Sequence, residues 1–444
     1  MKIIKLRRGY DIKLAGNSEK KVIQAPFPKN IALKPTDFEG FKPKLLVEKG
    51  EIVESGTPLA YDKNNKKIMI IAPVSGKVSE IVRGERRIIE AIVIEPTEKQ
   101  THLDLKIELQ DLTKETIIEA LLKSGLFLRL IRRPFNKIAN PAETPRDIFI
   151  SAMDTSPLAA DSTIILQGNE SSFQKGIDVL SNLTSGNVNL SFKQKDKVFS
   201  EFKNCEPYNF TGPHPAGNAG VQIHHISPIK NANDIVWSCD VQAVIQIGKL
   251  FETGKISSEV IVKVAGSNAE NKQYYKTVIG AEISSMIGNV KENTRIISGN
   301  VLTGKKIEHT GFLGFNDNLI TIIPEASEPE FLGWLNPGLS KRSWWKTYLA
   351  PILSPKKIYT ADTNIGGGPR SLVINSVYEE VLPMRILPSY LIKSILAEDI
   401  EEMEALGIYE VAEEDFALCE YICPSKTEFQ QIIRQGLNLM EKEG

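Results

Sequence analysis

The segment Asp147–Met153, with the sequence DIFISAM, is the strongest indication of the architecture because it is a short apolar run of the kind that forms a buried strand. A polar loop follows at Asp154–Pro157, and then comes a helix whose apolar residues share one face: Phe173, Ile177, Leu180 and Leu183. Val188–Phe192 predicts a second strand. This β–loop–α–β order predicts a parallel αβ layer, in which ligands bind beyond the carboxyl ends of the strands.

The segment Gly212–Ile229, GPHPAGNAGVQIHHISPI, follows in the same unit and is a candidate binding loop. Three of the chain's five histidines lie in it: His214, His224 and His225. Histidine titrates near neutral pH, and the flanking glycines and Pro215 make the backbone irregular. A β-like run, Val221–Ile223, is expected to follow the loop. The alternative is an ordinary turn whose histidines bond neighbouring backbone groups. With Asp154, this loop is expected at the carboxyl edge of the sheet.

Residues 1–100 are predicted to form a β-rich domain, since short apolar runs alternate with glycine and asparagine turns. The spacing from Val47 to Leu59, V-x-x-G-x-x-V-x-x-G-x-x-L, and a later A-P-x-x-G-x-V resemble biotinyl/lipoyl carrier domains. A carrier presents a modified lysine at a hairpin tip, and Lys63 is the candidate. The tip Asp62–Lys67 is crowded with rival lysines, which favours a solvated hairpin.

The remaining chain is predicted to contain three more units, so the fold class is α+β and multidomain. Residues 101–255 form a Rossmann-like αβ domain, residues 256–330 a small β-grasp domain of the SLBB type, and residues 331–444 a linker with a C-terminal helical bundle. In the last unit, Ser425–Glu428 has the pattern of a capping box that begins a helix.

Three further segments are candidates for contacts. Arg83–Arg87 holds three arginines around one glycine, which suit an anion, exposed ion pairs or another subunit. Phe331–Leu353 contains three of the four tryptophans, typical of an interface or of ordinary core. Gly366–Arg370 is a glycine run with one cation, Arg370, that suits an anion.

Composition excludes several classes of protein. The length of 444 residues exceeds one ordinary core. A net charge of −1 argues against nucleic-acid binding, which requires a basic excess. Four cysteines are too few for a disulfide framework, and we read no signal peptide. No run approaches the roughly twenty apolar residues that span a bilayer.

The sequence offers no complete active site or metal site of its own. Dinucleotide, Walker and nucleophile-elbow patterns are missing, and the histidines lack zinc spacing. Cys419–Pro424 is C-x₃-C-P, the tail of a ferredoxin run whose upstream cysteines are missing. Together with Cys205 and Cys239, these thiols are expected to be buried side chains.

Several segments together resemble the A subunits of the bacterial sodium-translocating NADH:quinone oxidoreductases (Na⁺-NQR), over essentially the whole chain. The segments are Arg8–Asp11 with Ala15–Gly16, Arg133–Phe135, Ala152–Thr155 with Pro157–Ala159, Gly212–Gly217, Gly366–Arg370 with Leu387–Pro388, Glu413–Pro424 and Glu441–Gly444. The chain is more distantly similar to the flavin subunit of respiratory complex I and to a related subunit with an intact ferredoxin run. It departs from both by lacking cluster ligands and glycine-rich nucleotide loops.

The resemblance implies a peripheral subunit on the cytoplasmic face of the bacterial inner membrane, within a complex of six subunits. That complex oxidises NADH, reduces a quinone and exports sodium, with flavins, iron–sulfur centres and quinone carried by other subunits. The resemblance also implies that this subunit carries no redox cofactor and docks on a membrane-embedded partner, and a role in quinone binding has been proposed for the family. Purely structural interaction is the alternative.

The resemblance, joined to the residue chemistry, gives a set of expected quinone or anion contacts: His214, Pro215, Arg133, Phe135 and Arg370. His214 is expected to donate to a quinone carbonyl, and Phe135 to stack on the ring. Arg133 is expected to stabilise developing negative charge. No residue is expected to be catalytic, to ligate a metal or to hold a cofactor.

Overall fold

The computed structural model describes residues 2–109, 112–326, 338, 343–354, 357–365 and 368–444. Its strands form four sheets, of seven, six, four and three strands. No helix of the described part combines the length and the apolar character that crossing a membrane requires.

The seven-stranded sheet is built around the strand that the sequence predicts at DIFISAM. Its order is Lys2–Lys5, Glu206–Thr211, Val188–Lys193, Ile148–Ala152, Val236–Asp240, Ile131–Arg133 and Lys137–Ile138. The first five strands run parallel, and the last two are antiparallel additions. The prediction of a parallel αβ layer is therefore confirmed.

Helices cover this sheet: Lys114–Lys123, Ser162–Leu166, Glu170–Ser181, Ala219–Ile226 and Val241–Thr253. The last of these begins where the Asp240 side chain accepts a hydrogen bond from the Ala243 amide, and it ends at Gly254, whose φ is +70°. The β-like interpretation of Val221–Ile223 is wrong, because these residues lie within the helix Ala219–Ile226. The first turn of this helix follows directly on the loop that carries His214. The prediction failed because the apolar pattern of three residues cannot distinguish a strand from a helix.

Two smaller sheets form the N-terminal barrel-like unit. The four-stranded sheet has the order Ile31–Leu33, Ile89–Pro96, Gly76–Arg83 and Ile52–Val53. The three-stranded sheet has the order Pro43–Leu45, Pro58–Asp62 and Met69–Ile71. Lys63, the carrier candidate, is an exposed residue just after the strand Pro58–Asp62.

The first two strands of the chain do not belong to the N-terminal sheets, although the sequence predicts that the β-rich domain begins at residue 1. Lys2–Lys5 pairs in parallel with Glu206–Thr211, and Val22–Gln24 pairs in parallel with Tyr274–Val278. Both partners lie some 200 or more residues away. A local apolar pattern carries no information on such distant partners.

The six-stranded sheet has the order Lys305–Ile307, Thr294–Ser298, Leu319–Pro324, Glu259–Ala265, Tyr274–Val278 and Val22–Gln24. A short helix, Ser284–Ile287, lies between its strands in sequence. Its apolar residues share one core with the N-terminal sheets, since Leu59 and Val262 belong to the same buried cluster. The two β-rich units therefore pack directly against each other.

The C-terminal part is helical. Its described α-helices are Ala350–Leu353, Val377–Val381, Pro388–Leu396, Ile400–Ala405, Ala417–Ile422 and Phe429–Glu443. Short 3₁₀ helices in the whole described chain are Pro35–Asp37, Glu85–Arg87, Leu126–Arg129, Lys197–Ser200, Ile408–Glu410 and Glu413–Phe416. The predicted capping box at Ser425–Glu428 is wrong, because the last helix starts at Phe429 and Glu428 occupies its N-cap without a side-chain bond.

Candidate functional site

A cavity of about 570 Å³ lies where the four parts of the chain meet, and we call it the interdomain cavity. Asp154 and His214 line it from the seven-stranded sheet, Asp317 from the six-stranded sheet, Asp37 from the N-terminal unit and Glu414 from the C-terminal helices. Asp154 follows the strand Ile148–Ala152, and His214 follows Glu206–Thr211. The prediction that both occur at the carboxyl edge of the parallel strands is confirmed.

The charges that line the interdomain cavity are mixed in sign. Its cations are Arg129, Arg133, Lys137, Lys305 and Arg434, and its carboxyls are Asp37, Glu39, Asp154, Asp240, Asp317, Glu413 and Glu414. Burial raises the pKa of the Asp317 carboxyl, which accepts a hydrogen bond from the Ser298 hydroxyl at 2.5 Å. Because cations do not outnumber carboxyls, the lining suits a polar, uncharged group better than a highly charged anion.

His214 is held rigidly at the wall of the interdomain cavity and is only 4% exposed. Its amide donates to Asp11 Oδ1 at 2.9 Å, and its carbonyl accepts from the Tyr10 amide at 2.8 Å. Its ring Nδ1 lies 3.1 Å from Thr155 Oγ1. Burial lowers the pKa of His214 to about 4, although the negative charges of Asp154 and Asp11 act in the opposite direction. The ring is therefore neutral at physiological pH.

Arg133 ends the strand Ile131–Arg133 and connects the sheet to the C-terminal helices. It is buried, with Nη2 bonded to Glu414 Oε1 at 2.8 Å and Nη1 at 3.8 Å from Asp415 Oδ2. Its Nε and Nη1 have no hydrogen-bond partner in the described part of the chain. Asp415 is fully enclosed and accepts from the Ala412 amide at 3.0 Å and the Asn218 side chain at 3.2 Å.

Asp415 gives this contact a dependence on pH. Burial, with a smaller effect of Glu414, raises the pKa of its carboxyl from 3.8 to about 7, against the opposing charge of Arg133. The folded state therefore holds this proton more tightly than the unfolded state. The stability that the protonated group contributes is fully present below about pH 4, and it is lost as the pH rises through about 7.

We expect the variant Asp415→Asn to flatten the pH dependence of stability between pH 4 and 7.5. The asparagine amide does not ionise in this range, whereas ionisation of the buried Asp415 carboxyl lowers the unfolding free energy of the wild-type chain by about 2–4 kcal/mol over that interval. Urea unfolding of both proteins at several pH values measures the two slopes. The comparison uses the slopes of stability against pH and not the stabilities themselves, because the amide has one hydrogen-bond acceptor fewer and lowers the stability at every pH. Identical slopes would contradict the role given to Asp415.

Arg129 is a site residue that sequence reasoning missed. It is 3% exposed, its Nη1 donates to Asn316 Oδ1 at 2.9 Å, and its guanidinium lies 4.8 Å from the centre of the Phe315 ring. Its Nε and Nη2 have no partner within the described chain, and burial lowers its pKa. The sequence does contain one indication of this role, since Arg129 interrupts the apolar run Leu126–Ile131, where an arginine is unusual.

The other expected contacts lie elsewhere. Phe135 has a φ of +81°, and its ring packs against the Tyr409 ring at a centroid distance of 5.9 Å. Phe135 is not among the residues that line the interdomain cavity. Pro215 is buried, and Arg370 is exposed with its amide bonded to Ser425 O at 2.9 Å. Neither belongs to the lining residues. Of the five expected contacts, the structure brings only His214 and Arg133 together at the interdomain cavity.

His224 and His225 have a structural environment that favours the ordinary interpretation of these two residues. His224 Nδ1 bonds Glu410 Oε2 at 2.6 Å, and its Nε2 accepts from the Arg385 amide at 3.2 Å. His225 Nε2 lies 2.6 Å from the Pro383 carbonyl oxygen. They connect the helix Ala219–Ile226 to the C-terminal part.

Thiols do not form a metal site in the described part of the chain. Cys239, Cys419 and Cys423 are buried, Cys205 is half-buried, and all four are free. Burial raises the pKa of the Cys419 thiol, which leaves it protonated. No group of three or more histidine, cysteine, aspartate or glutamate side chains is placed to hold a metal ion among the described residues.

The remaining surface candidates that the structure describes are exposed or partly buried. The three arginines of Arg83–Arg87 are exposed, and no ion pair joins them to another described residue. Trp344 packs edge-to-face on Tyr10 at 5.0 Å, whereas Trp345 is 46% exposed and donates from Nε1 to Ile422 O at 2.8 Å. Trp334, Gly366 and Gly367 lie outside the described residues.

Three domain models of one protein family match this chain. The NqrA N-terminal barrel-sandwich hybrid domain matches residues 4–97, the NqrA second alpha/beta domain residues 112–256 and the NQRA C-terminal domain residues 261–309. The predicted mixed αβ, multidomain fold is thereby confirmed at the level of these three domains.

Curated relatives align with the chain from end to end. The A subunit of the Na(+)-translocating NADH-quinone reductase of Yersinia pseudotuberculosis is 38% identical over 450 residues, with all of both chains covered. The proteins of the same name from Pasteurella multocida and Neisseria meningitidis serogroup B are 37% and 36% identical, again over the full length of each. Among solved structures, an NAD⁺-reducing [NiFe]-hydrogenase is 10% identical with a TM-score of 0.40, covering 77% of this chain and 64% of that one. On the identity and coverage of the curated relatives, the chain belongs to the NqrA family, the A subunits of the Na(+)-translocating NADH-quinone reductases.

Proposed function

We propose that this chain is a scaffold subunit of a sodium-pumping NADH:quinone oxidoreductase, without a redox cofactor of its own, at the cytoplasmic face of a bacterial inner membrane. We further propose that it contributes hydrogen-bond donors to a quinone contact in the interdomain cavity. The observation that supports this contact most strongly is that His214, neutral and rigid, lines the same cavity as the buried arginines Arg129 and Arg133.

The chemistry of a quinone head group fits such a lining. A quinone is flat and uncharged, and its two carbonyl oxygens accept hydrogen bonds. A neutral histidine ring can donate to one carbonyl, and a guanidinium nearby stabilises the negative charge that develops when the ring is reduced. The excess of carboxyls over cations in the cavity lining disfavours a phosphate-bearing ligand by comparison.

We expect His214→Ala to weaken binding of a short-chain quinone by about three- to tenfold, the value of one neutral hydrogen bond. Isothermal titration calorimetry of the purified full chain with decylubiquinone measures this. The matched control is His309→Ala, since His309 is exposed and outside the cavity lining. The wild-type chain failing to bind would remove the quinone contact, and an unchanged affinity in His214→Ala would remove the role of His214.

A purely structural role is the second candidate, and one surface favours it. Several large apolar side chains of the region between the six-stranded sheet and the last helices are exposed: Leu349, Ile352, Leu353, Ile358 and Ile365. Exposed apolar side chains this close in sequence are typical of a protein–protein interface. A photo-crosslinker at Leu353 in the assembled complex should then label a membrane-embedded subunit, whereas one at Lys66 in the exposed hairpin should not. Equal labelling from both positions would contradict this surface as an interface.

A further inference from the structure

We propose that Thr155 is a positioning residue that holds His214 in its neutral Nε2–H tautomer, so that the interdomain cavity meets a hydrogen-bond donor. As far as a quinone is the ligand, this inference rests on the proposed function. The tautomer itself is a property of the chain without any ligand, and it can be measured separately.

The hydroxyl of Thr155 determines where the ring proton lies. Its oxygen accepts a hydrogen bond from the Gly217 amide at 2.9 Å. The hydroxyl proton of Thr155 needs an acceptor, and His214 Nδ1 lies 3.1 Å from Thr155 Oγ1. If Nδ1 carried the proton, Thr155 Oγ1 would accept two bonds and donate none within the described chain. If Nδ1 is bare, the hydroxyl accepts one bond and donates one, which satisfies every group.

The other ring nitrogen then carries the proton and is free for a ligand. No hydrogen bond to Nε2 forms within the described residues, and His214 contributes to the wall of the interdomain cavity. The charged groups that act on the ring are the carboxylates Asp154 and Asp11, which favour protonation of the ring as a whole and are outweighed by its burial. The low pKa of His214 keeps the second nitrogen bare over the physiological range.

The backbone leaves little freedom for the ring to turn away. A Cβ on Gly217 would lie 2.6 Å from the Thr155 amide nitrogen, so only glycine allows the two segments to approach this closely. On the other side, a Cβ on Gly9 would lie 2.2 Å from the His214 carbonyl oxygen. His214 is thus clamped between the loop after Ile148–Ala152 and the N-terminal segment, which fixes the Thr155–His214 distance.

The tautomer has a consequence for which redox form of a ligand binds better. A protonated Nε2 complements the carbonyl oxygen of an oxidised quinone, which can only accept. A bare Nε2 would complement the hydroxyl of the reduced hydroquinone, which can donate. Thr155 therefore acts as a determinant of preference for the oxidised form, and it does so without touching the ligand.

The full-length chain labelled with ¹⁵N-histidine tests the tautomer directly. Long-range ¹H–¹⁵N spectra distinguish protonated from bare ring nitrogens, and the spectrum of His214→Gln assigns the His214 signals. From pH 5 to 8, the wild type and Thr155→Ser should show a protonated Nε2 and a bare Nδ1, while Thr155→Val, which has no hydroxyl, should show a mixture. A protonated Nδ1 in the wild type would overturn the inference, and so would an unchanged tautomer in folded Thr155→Val.

Ligand binding provides the second measurement. The ratio of affinities for decylubiquinone and its hydroquinone should favour the quinone in the wild type and in Thr155→Ser, and should fall by about threefold or more in Thr155→Val. If the wild type shows the Nε2–H tautomer and binds neither form, the proposed quinone contact fails while the positioning role of Thr155 stands. If Thr155→Val does not fold, the wild-type spectrum and the Thr155→Ser ratio still decide the tautomer and the preference.

Discussion

Replacement of Gly248 by alanine should destabilise the αβ unit by about 3 kcal/mol or more, a large effect for a single added methyl group. Gly248 lies in the helix Val241–Thr253, which packs on the helix Glu170–Ser181. A Cβ at Gly248 would lie 1.7 Å from the Ser172 carbonyl oxygen, and one at Gly176 would lie 2.1 Å from the Val244 carbonyl oxygen. Because these obstacles are backbone atoms of rigid helices, the helices themselves must separate and their shared core must repack.

Urea unfolding followed by circular dichroism measures this loss. The matched control is Gly368→Ala, since a Cβ at Gly368 would meet no atom within 4 Å. The control should unfold with the wild-type midpoint. A Gly248→Ala chain that unfolds with the same midpoint as the control would show that the two helices tolerate separation, contrary to the close contact described here.

At pH 8, where Asp415 is mostly ionised, substitution of Arg133 by methionine should cost about 3–5 kcal/mol, since removal of one partner leaves a buried carboxylate without its counter-charge. Glu414 and Asp415 both face this guanidinium, and Asp415 is fully enclosed. The loss should be concentrated at the contact between the sheet and the C-terminal helices. Asn136 also crosses this contact through its side-chain amide, which donates to Glu413 Oε2 at 3.0 Å, and Arg434 crosses it from the other side, since its Nη1 donates to the Phe135 carbonyl oxygen at 2.8 Å.

Limited proteolysis with mass spectrometry locates the effect, and urea unfolding gives its size. Arg133→Met should expose new cleavage sites in the helices after residue 413, whereas Lys123→Met should not. Lys123 forms an exposed pair with Glu119 one helical turn away, and such pairs contribute little. Unchanged cleavage and an unchanged midpoint in Arg133→Met would refute the structural role of this ion pair.

The central αβ layer could be predicted from the sequence because its signals are local. The apolar run at Asp147–Met153, the helix after it and the run at Val188–Phe192 each carry their own periodicity, and their order implies parallel pairing. The strands Lys2–Lys5 and Val22–Gln24 could not be placed, since their partners are chosen by packing across domains. The helix at Ala219–Ile226 was missed because two adjacent histidines and a glycine obscure its apolar face.

The candidate site was predictable only in part. His214 and Asp154 follow strand ends, and topology alone predicts that such residues meet at one edge. Phe135 was expected at a ligand, but its left-handed backbone directs the ring toward Tyr409, and that conformation has no sequence signature in a phenylalanine. Arg129 is a site residue because it is buried, and Thr155 because its hydroxyl lies 3.1 Å from a ring nitrogen of His214. Burial and this distance arise only in the assembled fold, so the sequence could not predict them.

The pairing of Lys2–Lys5 with Glu206–Thr211 imposes an order of events during synthesis. This strand leaves the ribosome about 200 residues before its neighbour, a delay of roughly 10–40 s at about 5–20 residues per second. During that interval Ile3 and Ile4 have no partner strand, while Lys2 and Lys5 flank them with charge. Lysines at such positions deter association between nascent chains, and the same residues protect the edge of the finished sheet.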